Sequence, residues 1–471
     1  MSSDLSTFCS ENPSARWLAL ASICIAVFLI PQSMSSVNIA LPAIAEALQA
    51  DAVLVSWIPA ANLWGSIVLM LPAGRIADIV GRKLIYLIGV LGFALASLLV
   101  LLVDTVEMLI GVRVLQGLFS GLVFATAMAI VAAVFSNNNR GTALGLTATS
   151  VYLGLTCGPL VGGWLTEHIS WQSVFWVPVP LALVSLSLVM IFVKNDRISN
   201  RDSVQKPQSL DWLGSLLFMV CVSLLLFGLA GLPALVNLAM LIAGVALLLL
   251  FIYQQNRSEK PLIRFKVLAE NRVMNRSLIA SFLMYSGNYP VLFLLSLYLQ
   301  YLQGMSPSES GQLVLIQALM MAILAPVAGR LSDRFQPRLI ATAGCLLFSS
   351  GFGLLVFLSE ATSYTYLVVA MVLLGIGFGC FSSPNNNAAL GSVPQDRLSI
   401  ASALLNLSRT SGNMFSMAII MLLVNLFLGS EQIQPDQYPQ LMRLVQTGFV
   451  IAFGYTLLAA WFSYNRGNVE R

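Results

Sequence analysis

The chain has 471 residues, 58% of them hydrophobic and only 9% charged, with a mean hydropathy of +0.85. That composition excludes a water-soluble globule, and a formal charge of +4 over this length gives no sign of a nucleic-acid partner. Apolar runs of about 20 residues, each enough to cross a bilayer as a helix, recur from end to end. In chain order they predict helices at about 16–42, 53–73, 84–103, 107–135, 141–165, 172–194, 211–231, 233–255, 277–303, 309–328, 338–358, 364–389, 400–428 and 441–465. The tail before the first run lacks a basic stretch and a cleavage site, so it is expected to be a short extension rather than a signal peptide.

An even number of spans puts both termini on one side of the membrane. With that side taken as cytoplasmic, nearly all of the 24 basic residues fall in cytoplasmic loops or tails, which is the positive-inside pattern. The longer polar segments 195–210 and 256–276 bracket helices seven and eight. Residues 74–85 (GRIADIVGRKLI) and 329–340 (GRLSDRFQPRLI) repeat one phrase, after helix two and again after helix ten. An offset of eight helices is six plus an inserted pair. The expected fold is therefore an all-α polytopic membrane protein of fourteen transmembrane helices. Residues 1–194 form one six-helix bundle, 195–276 the loops and inserted pair, and 277–471 the second bundle. Duplicated membrane bundles that rock about a central site are a common build for secondary transporters.

An arginine at helix depth costs about 2.5–3.5 kcal/mol on insertion scales, so such a residue faces a cavity or a partner. Arg113 lies early in helix four, and Arg409 lies well inside helix thirteen, ~14 Å from its start at the helical rise. Gln116 shares a face with Arg113, and Asn406 and Asn413 flank Arg409 by about one turn. Gln32, Ser33 and Asn38 in helix one, Asn62 in helix two and Asn288 in helix nine are further in-span polar groups. They line a cavity or serve as hydrogen bonds between helices. Asn288 sits where Gly287 and Pro290 are expected to interrupt a span, a feature that often marks binding sites in transporters. The run Asn385-Asn386-Asn387 reads as a helix exit.

The six cysteines have neither disulfide nor metal-ligand spacing, and the single His168 reads as a solvated loop residue. No nucleophile–base pair, metal cluster or phosphate-binding loop is legible, so neither enzyme activity, a metal nor a cofactor is expected. Any driving energy comes from a gradient.

Several motifs together resemble the major facilitator superfamily, and specifically its 14-helix drug:H+ antiporter branch. Gly74-Arg75-Ile76-Ala77-Asp78-Ile79-Val80-Gly81-Arg82-Lys83 looks like the superfamily's loop motif after helix two. Arg113-Val114-Leu115-Gln116-Gly117 looks like its fourth-helix motif, and Gly154 through Gly163 resembles the fifth-helix motif of antiporters. Trp171, Phe175 and Pro180 resemble the branch's entry to helix six. Tyr298-Leu299-Gln300, Gly304, Ser306-Pro307 and Gly311 resemble its turn between helices nine and ten.

The resemblance implies gating roles. Asp78, with Gly74, Arg82 and Lys83, would latch the cytoplasmic side by bonding a neighbouring helix end. Gly329 and Asp333 repeat the device in the second half, with Pro337 where Arg82 stands in the first. Gly154, Gly158, Gly162 and Gly163 allow close helix approach and Pro159 invites a bend. The family implies that this helix packs on its counterpart in the other half.

One departure is important. The branch's first helix normally carries an aspartate where Ser33 stands here, and its second-helix tyrosine is Asn62. All 20 acidic residues lie near helix ends or in loops, Glu309 and Asp211 coming nearest to a span. Two embedded arginines without an embedded acid favour anionic or neutral substrates. The expectation is an inner-membrane exporter of small amphipathic organic compounds of the multidrug type, proton-coupled, working by alternating access with both termini cytoplasmic. An uncoupled facilitator and a scaffold or sensor descended from a transporter are the alternatives. Accessory efflux partners are not legible.

Overall fold

The computed structural model describes residues 13–135, 140–193, 211–258, 261–262, 271–393, 398–429 and 433–467. Among them the long helices are α1 (Pro13–Ala47), α2 (Ala52–Val80), α3 (Arg82–Leu99), α4 (Val106–Val134) and α5 (Arg140–His168). A four-residue turn at Ser173–Trp176 leads into α6 (Val179–Phe192). Then come α7 (Trp212–Ala230), α8 (Leu235–Arg257), α9 (Arg272–Leu297), α10 (Pro307–Arg334), α11 (Pro337–Val356), α12 (Tyr364–Gly391), α13 (Leu398–Phe427) and α14 (Tyr438–Tyr464). The fourteen-helix expectation holds. Thirteen spans are long and apolar enough to cross a membrane among the described residues, and α5, rich in glycine and threonine, is the remaining long helix.

The helix starts follow from local chemistry. Asp51, Thr105, Asp211, Asn271 and Ser363 each accept a backbone N–H in the first turn of α2, α4, α7, α9 and α12. These satisfy donors that a helix start otherwise leaves orphaned. Ser306 and Glu309 form a reciprocal capping box on α10. The two copies of the repeated phrase turn by different means. Gly81, at φ +114, is the single residue between α2 and α3, a conformation that disfavours any side chain. The second copy instead starts α11 on Pro337, whose missing N–H costs nothing at that position.

Two six-helix bundles carry the architecture. In the first, α1 packs on α5 and α2 on α4; in the second, α12 packs on both α10 and α11. The inserted pair α7–α8 packs on itself, and α7 also leans on α2 and α13. Ile67 and Val68, Phe218 and Val222, and Met414 and Ala418 meet there in one apolar cluster. Across the bundles, α5 meets α10, α2 meets α13 and α1 meets α9.

The closure between bundles is uneven. The face carrying the repeated phrases is the basic face. On the opposite face one core joins both bundles, linking Val37, Leu41 and Ile58 to Tyr289, Leu294 and Tyr298, and within the second bundle it continues to Ala341 and Ala460. There Gln300 Nε2 donates to Ile39 O at 2.9 Å, and Ser308 N–H donates to Glu167 Oε2 at 3.0 Å. Toward the basic face the first bundle keeps a core of its own, including Leu20, Ile23, Phe93 and Val131. The second bundle has a separate small cluster of Met274, Ala389, Ala401 and Leu405.

Three sequence expectations need correction. Helix α9 is continuous through Gly287 and Pro290; the backbone departs from α-geometry only afterwards, as a π turn at Tyr298–Leu302. Gly287 is needed for packing, since a Cβ there would stand 2.8 Å from Thr456 Cγ2. Nor is Asn385–Asn387 a helix exit: α12 runs past it to Gly391. His168 is not in a loop either but closes α5, exposed, with its Nδ1 3.1 Å from Trp164 O.

Candidate functional site

The candidate residues of the first bundle are packed. Arg113 on α4 is 1% exposed. Its Nε donates to Ile58 O at 3.2 Å and its Nη1 to Gln116 Oε1 at 2.8 Å, while its guanidinium lies 5.8 Å from the Phe175 ring. Gln116 passes the network on, donating to Ser97 Oγ on α3 at 2.8 Å. Asn62 donates to Arg113 O at 3.4 Å. Asn38 donates to Met34 O one turn back at 3.0 Å, with the Tyr289 phenol of α9 beside it. Ser33 is buried, and its Oγ, Asn38 Oδ1 and Asn62 Oδ1 have no hydrogen-bond partner among the described residues.

The second bundle differs. Arg409 is half-buried at mid-depth on α13. Its Nη2 donates to Asn386 Oδ1 at 2.6 Å, and its Nη1 reaches Asn406 Oδ1 at 3.5 Å. Its guanidinium lies 5.4 Å over the Tyr285 ring, within the range of a cation–π contact. Its Nε is buried without an acceptor among the described residues. Tyr152, on α5 of the first bundle, hydrogen-bonds Ser382 on α12 of the second. Tyr285 and Tyr152 both lie close enough to Arg409 to interact with its charge. Asn413 is also half-buried on α13, whereas the Asn288 amide is taken by Gln317 Nε2 at 2.8 Å.

Three residues here escaped sequence reasoning. Asn386 looked like part of a helix exit, and Tyr152 and Ser382 had no signal beyond lying in apolar helices. The asparagine run works in three directions: Asn385 Oδ1 accepts from Arg466 Nη1 at 2.9 Å, Asn386 holds Arg409, and Asn387 donates to Ser332 Oγ at 2.7 Å. Arg466, which sequence alone reads as a topology charge, is wholly buried just beyond α14. It bonds Ser277, Asn385 and Ser463, and burial pulls its guanidinium down to about 10.

The glycine stripe on α5 divides its work. A Cβ at Gly158 would stand 2.5 Å from Ser35 Cβ, and one at Gly162 2.6 Å from Ser36 Cα; Gly154 likewise abuts Phe28 O. All three contacts are with α1, in the same bundle. Gly163 alone faces the other bundle, where a Cβ would meet Pro307 O at 2.5 Å, and Gly311 of α10 answers by abutting Pro159 O. The expected packing on a counterpart helix therefore concerns Gly163, Pro159 and Gly311, while Gly154, Gly158 and Gly162 seat α5 on α1.

In the repeated phrases, a Cβ at Gly74 would meet nothing within 4 Å, whereas one at Gly329 would stand 2.6 Å from Ser383 Oγ. Lys83 Nζ donates to Met190 O on α6 at 2.9 Å, and Arg82 is half-buried at the start of α3. The side chains of Asp78 and Asp333 lie outside the described residues. The two acids nearest to a span are both helix caps. Glu309 sits in the exposed capping box of α10, and Asp211 accepts from Gly214 N–H and from Gln254 and Gln255 at the start of α7.

Comparison with known proteins agrees with this architecture. Residues 23–417 match the family model of the Major Facilitator Superfamily. The chain is 30% identical over 404 residues to the riboflavin transporter RibZ of Clostridioides difficile, covering 85% of this chain and 87% of that protein. It is 27% identical over 409 residues to the multidrug resistance protein Stp of Mycobacterium tuberculosis, covering 86% and 75%. In fold it is similar to a bacterial homologue of the human lysosomal transporter Spinster, solved in an inward-facing, unoccupied conformation. That TM-score is 0.66 at 16% identity, over 97% of both chains. The chain belongs to the Major Facilitator Superfamily: it is a multi-pass membrane transporter, not an enzyme.

Proposed function

We propose that the protein exports small amphipathic organic compounds across the bacterial inner membrane by proton-coupled alternating access. The basic face is cytoplasmic on this reading, both termini are inside, and anionic or neutral compounds are preferred. The observation that carries it is the uneven closure: the core that joins the bundles takes its buried first-bundle residues from the face opposite the basic loops, while toward the basic face the first bundle's core includes no residue of the second. Polar and aromatic groups of both bundles meet between these regions, at Tyr152, Ser382, Tyr285 and Arg409. A site at mid-depth between two bundles, closed on one side, is what a rocking mechanism requires. Export as the direction draws support from relatives named for multidrug resistance, and organic solutes from the relative named for riboflavin. The gating role falls to Gly74, Asp78, Arg82, Lys83, Gly329 and Asp333 on the basic face, and to Pro159, Gly163 and Gly311 where the bundles cross.

The test uses everted membrane vesicles energised to an acidic interior, with a fluorescent pH probe. Anionic, neutral and cationic amphiphiles sharing one aromatic body are added in turn. Proton release on adding the anionic or neutral compound is the expected result. Silence while labelled compound still equilibrates would make the protein an uncoupled facilitator, and silence in both assays would make it a scaffold.

A further inference from the structure

Four features combine at the Arg409 group, which lies at mid-depth on α13. Its guanidinium has five N–H donors to place, yet only two hydrogen bonds are formed, one of them at 3.5 Å. Its Nε is buried and unmatched. Among the described residues its partners are amide oxygens and phenols, with no carboxylate to balance the charge. Finally, the group straddles the two bundles, because Tyr152 comes from α5 and bonds Ser382 of α12. A cation at this depth with spare donors and no counter-ion is under electrostatic tension that a ligand anion relieves.

We propose that Arg409, seated by Asn386 and Asn406 and walled by Tyr285 and Tyr152, takes the carboxylate of a planar aromatic monoanion. The proposal rests on the reading of the chain as a transporter of amphipathic organic compounds, and it names their charge and shape. The carboxylate is the class indicated because planar bidentate acceptors suit the guanidinium fork. Monovalency follows from the supply of cations: Arg113 is sealed inside the first bundle at 1% exposure, bonded to Ile58 and Gln116, which leaves Arg409 as the half-open arginine at the site. Aromaticity follows from the two phenol rings, one from each bundle: Tyr285 is already packed against the guanidinium and Phe378, and the half-buried Tyr152 offers flat apolar surface beside them. Closing Tyr152 and Tyr285 about the ring would let a bound anion draw the two bundles together.

The experiment measures binding of tritiated naphthoate to the purified full-length protein by scintillation proximity. Naphthamide and a naphthylmethyl-trimethylammonium salt compete, so that one ring system carries three charges. Wild type is expected to prefer naphthoate over naphthamide by about tenfold or more, the scale of a charge-assisted hydrogen bond. Arg409→Gln should abolish that preference while leaving naphthamide affinity within about twofold, and Arg409→Lys should keep part of it. Asn386→Ala, which keeps the arginine but removes its seat, is measured in parallel and should weaken naphthoate selectively. No naphthoate binding by wild type, or an equal loss of naphthoate and naphthamide in both variants, would overturn the assignment. Failure of this site and failure of the transport reading separate cleanly. Proton release driven by naphthamide and the ammonium salt as strongly as by naphthoate sinks the site alone. Selective naphthoate binding with no transport sinks the transport reading alone.

Discussion

Arg113 and Arg409 carry the same charge inside spans of the same chain, and each makes two hydrogen bonds and lies near an aromatic ring, yet their burial differs. Arg113, Gln116, Asn38 and Asn62 are essentially unexposed, with Arg113 and Gln116 bonded through α2, α3 and α4 of one bundle. Arg409, Asn406, Asn413 and Asn386 are half-open, and the Arg409 Nε is buried without an acceptor among the described residues. An embedded arginine is thus no marker of a binding site by itself. Whether it is sealed within one bundle or stands half-open decides whether it holds the scaffold together or waits for a ligand.

The strongest way to break this comparison is to remove Arg113. Arg113→Ala strands Gln116 Oε1 and empties a packed space, so it is expected to cost about 2–4 kcal/mol of stability. The thermal midpoint in detergent should fall sharply, while that of Arg409→Ala should move little. Gln116→Ala should be strongly non-additive with Arg113→Ala, because the two share one network. Equal midpoints for the two arginine variants would dissolve the distinction.

The glycines sharpen the contrast between contacts within and across bundles. Gly158→Val forces α1 from α5 and should lower expression and stability, overpacking of this kind costing about 1–3 kcal/mol. Gly311→Val pushes the bundles apart at Pro159 instead. It should yield a folded protein whose conformational balance shifts by about tenfold or more, read by labelling of single cysteines placed on the two faces. A smaller effect is expected from Glu167→Gln, which weakens a carboxylate contact to the start of α10. At about 0.3–1 kcal/mol, it should modestly raise labelling on the face opposite the basic loops. Unchanged labelling in both variants would mean that these contacts do not hold that face shut.

Much of the architecture was legible because membrane physics writes it in long runs. Apolar stretches and loop arginines gave fourteen helices, and the repeated Gly-Arg-x-x-Asp phrase gave the six-two-six division. Residue chemistry was less legible where partners come from elsewhere in the chain. Asn386 has meaning only through Arg409, and Tyr152 only through Ser382, contacts that no local pattern announces. Arg466 misled for the same reason, since a terminal arginine reads as a solvated charge until Ser277 and Asn385 close over it. At Pro290 a strong local breaker lost to tertiary packing, and α9 stayed whole.

The division of labour between the two arginines is tested most directly by counterflow of tritiated naphthoate into proteoliposomes bearing wild type, Arg113→Lys or Arg409→Lys. Each preparation is scored per folded molecule and paired with its thermal midpoint. The account predicts that Arg409→Lys keeps the wild-type midpoint and loses most of the naphthoate flux, while Arg113→Lys loses midpoint and its folded fraction still transports. Full flux through Arg409→Lys, with flux lost in well-folded Arg113→Lys, would contradict it.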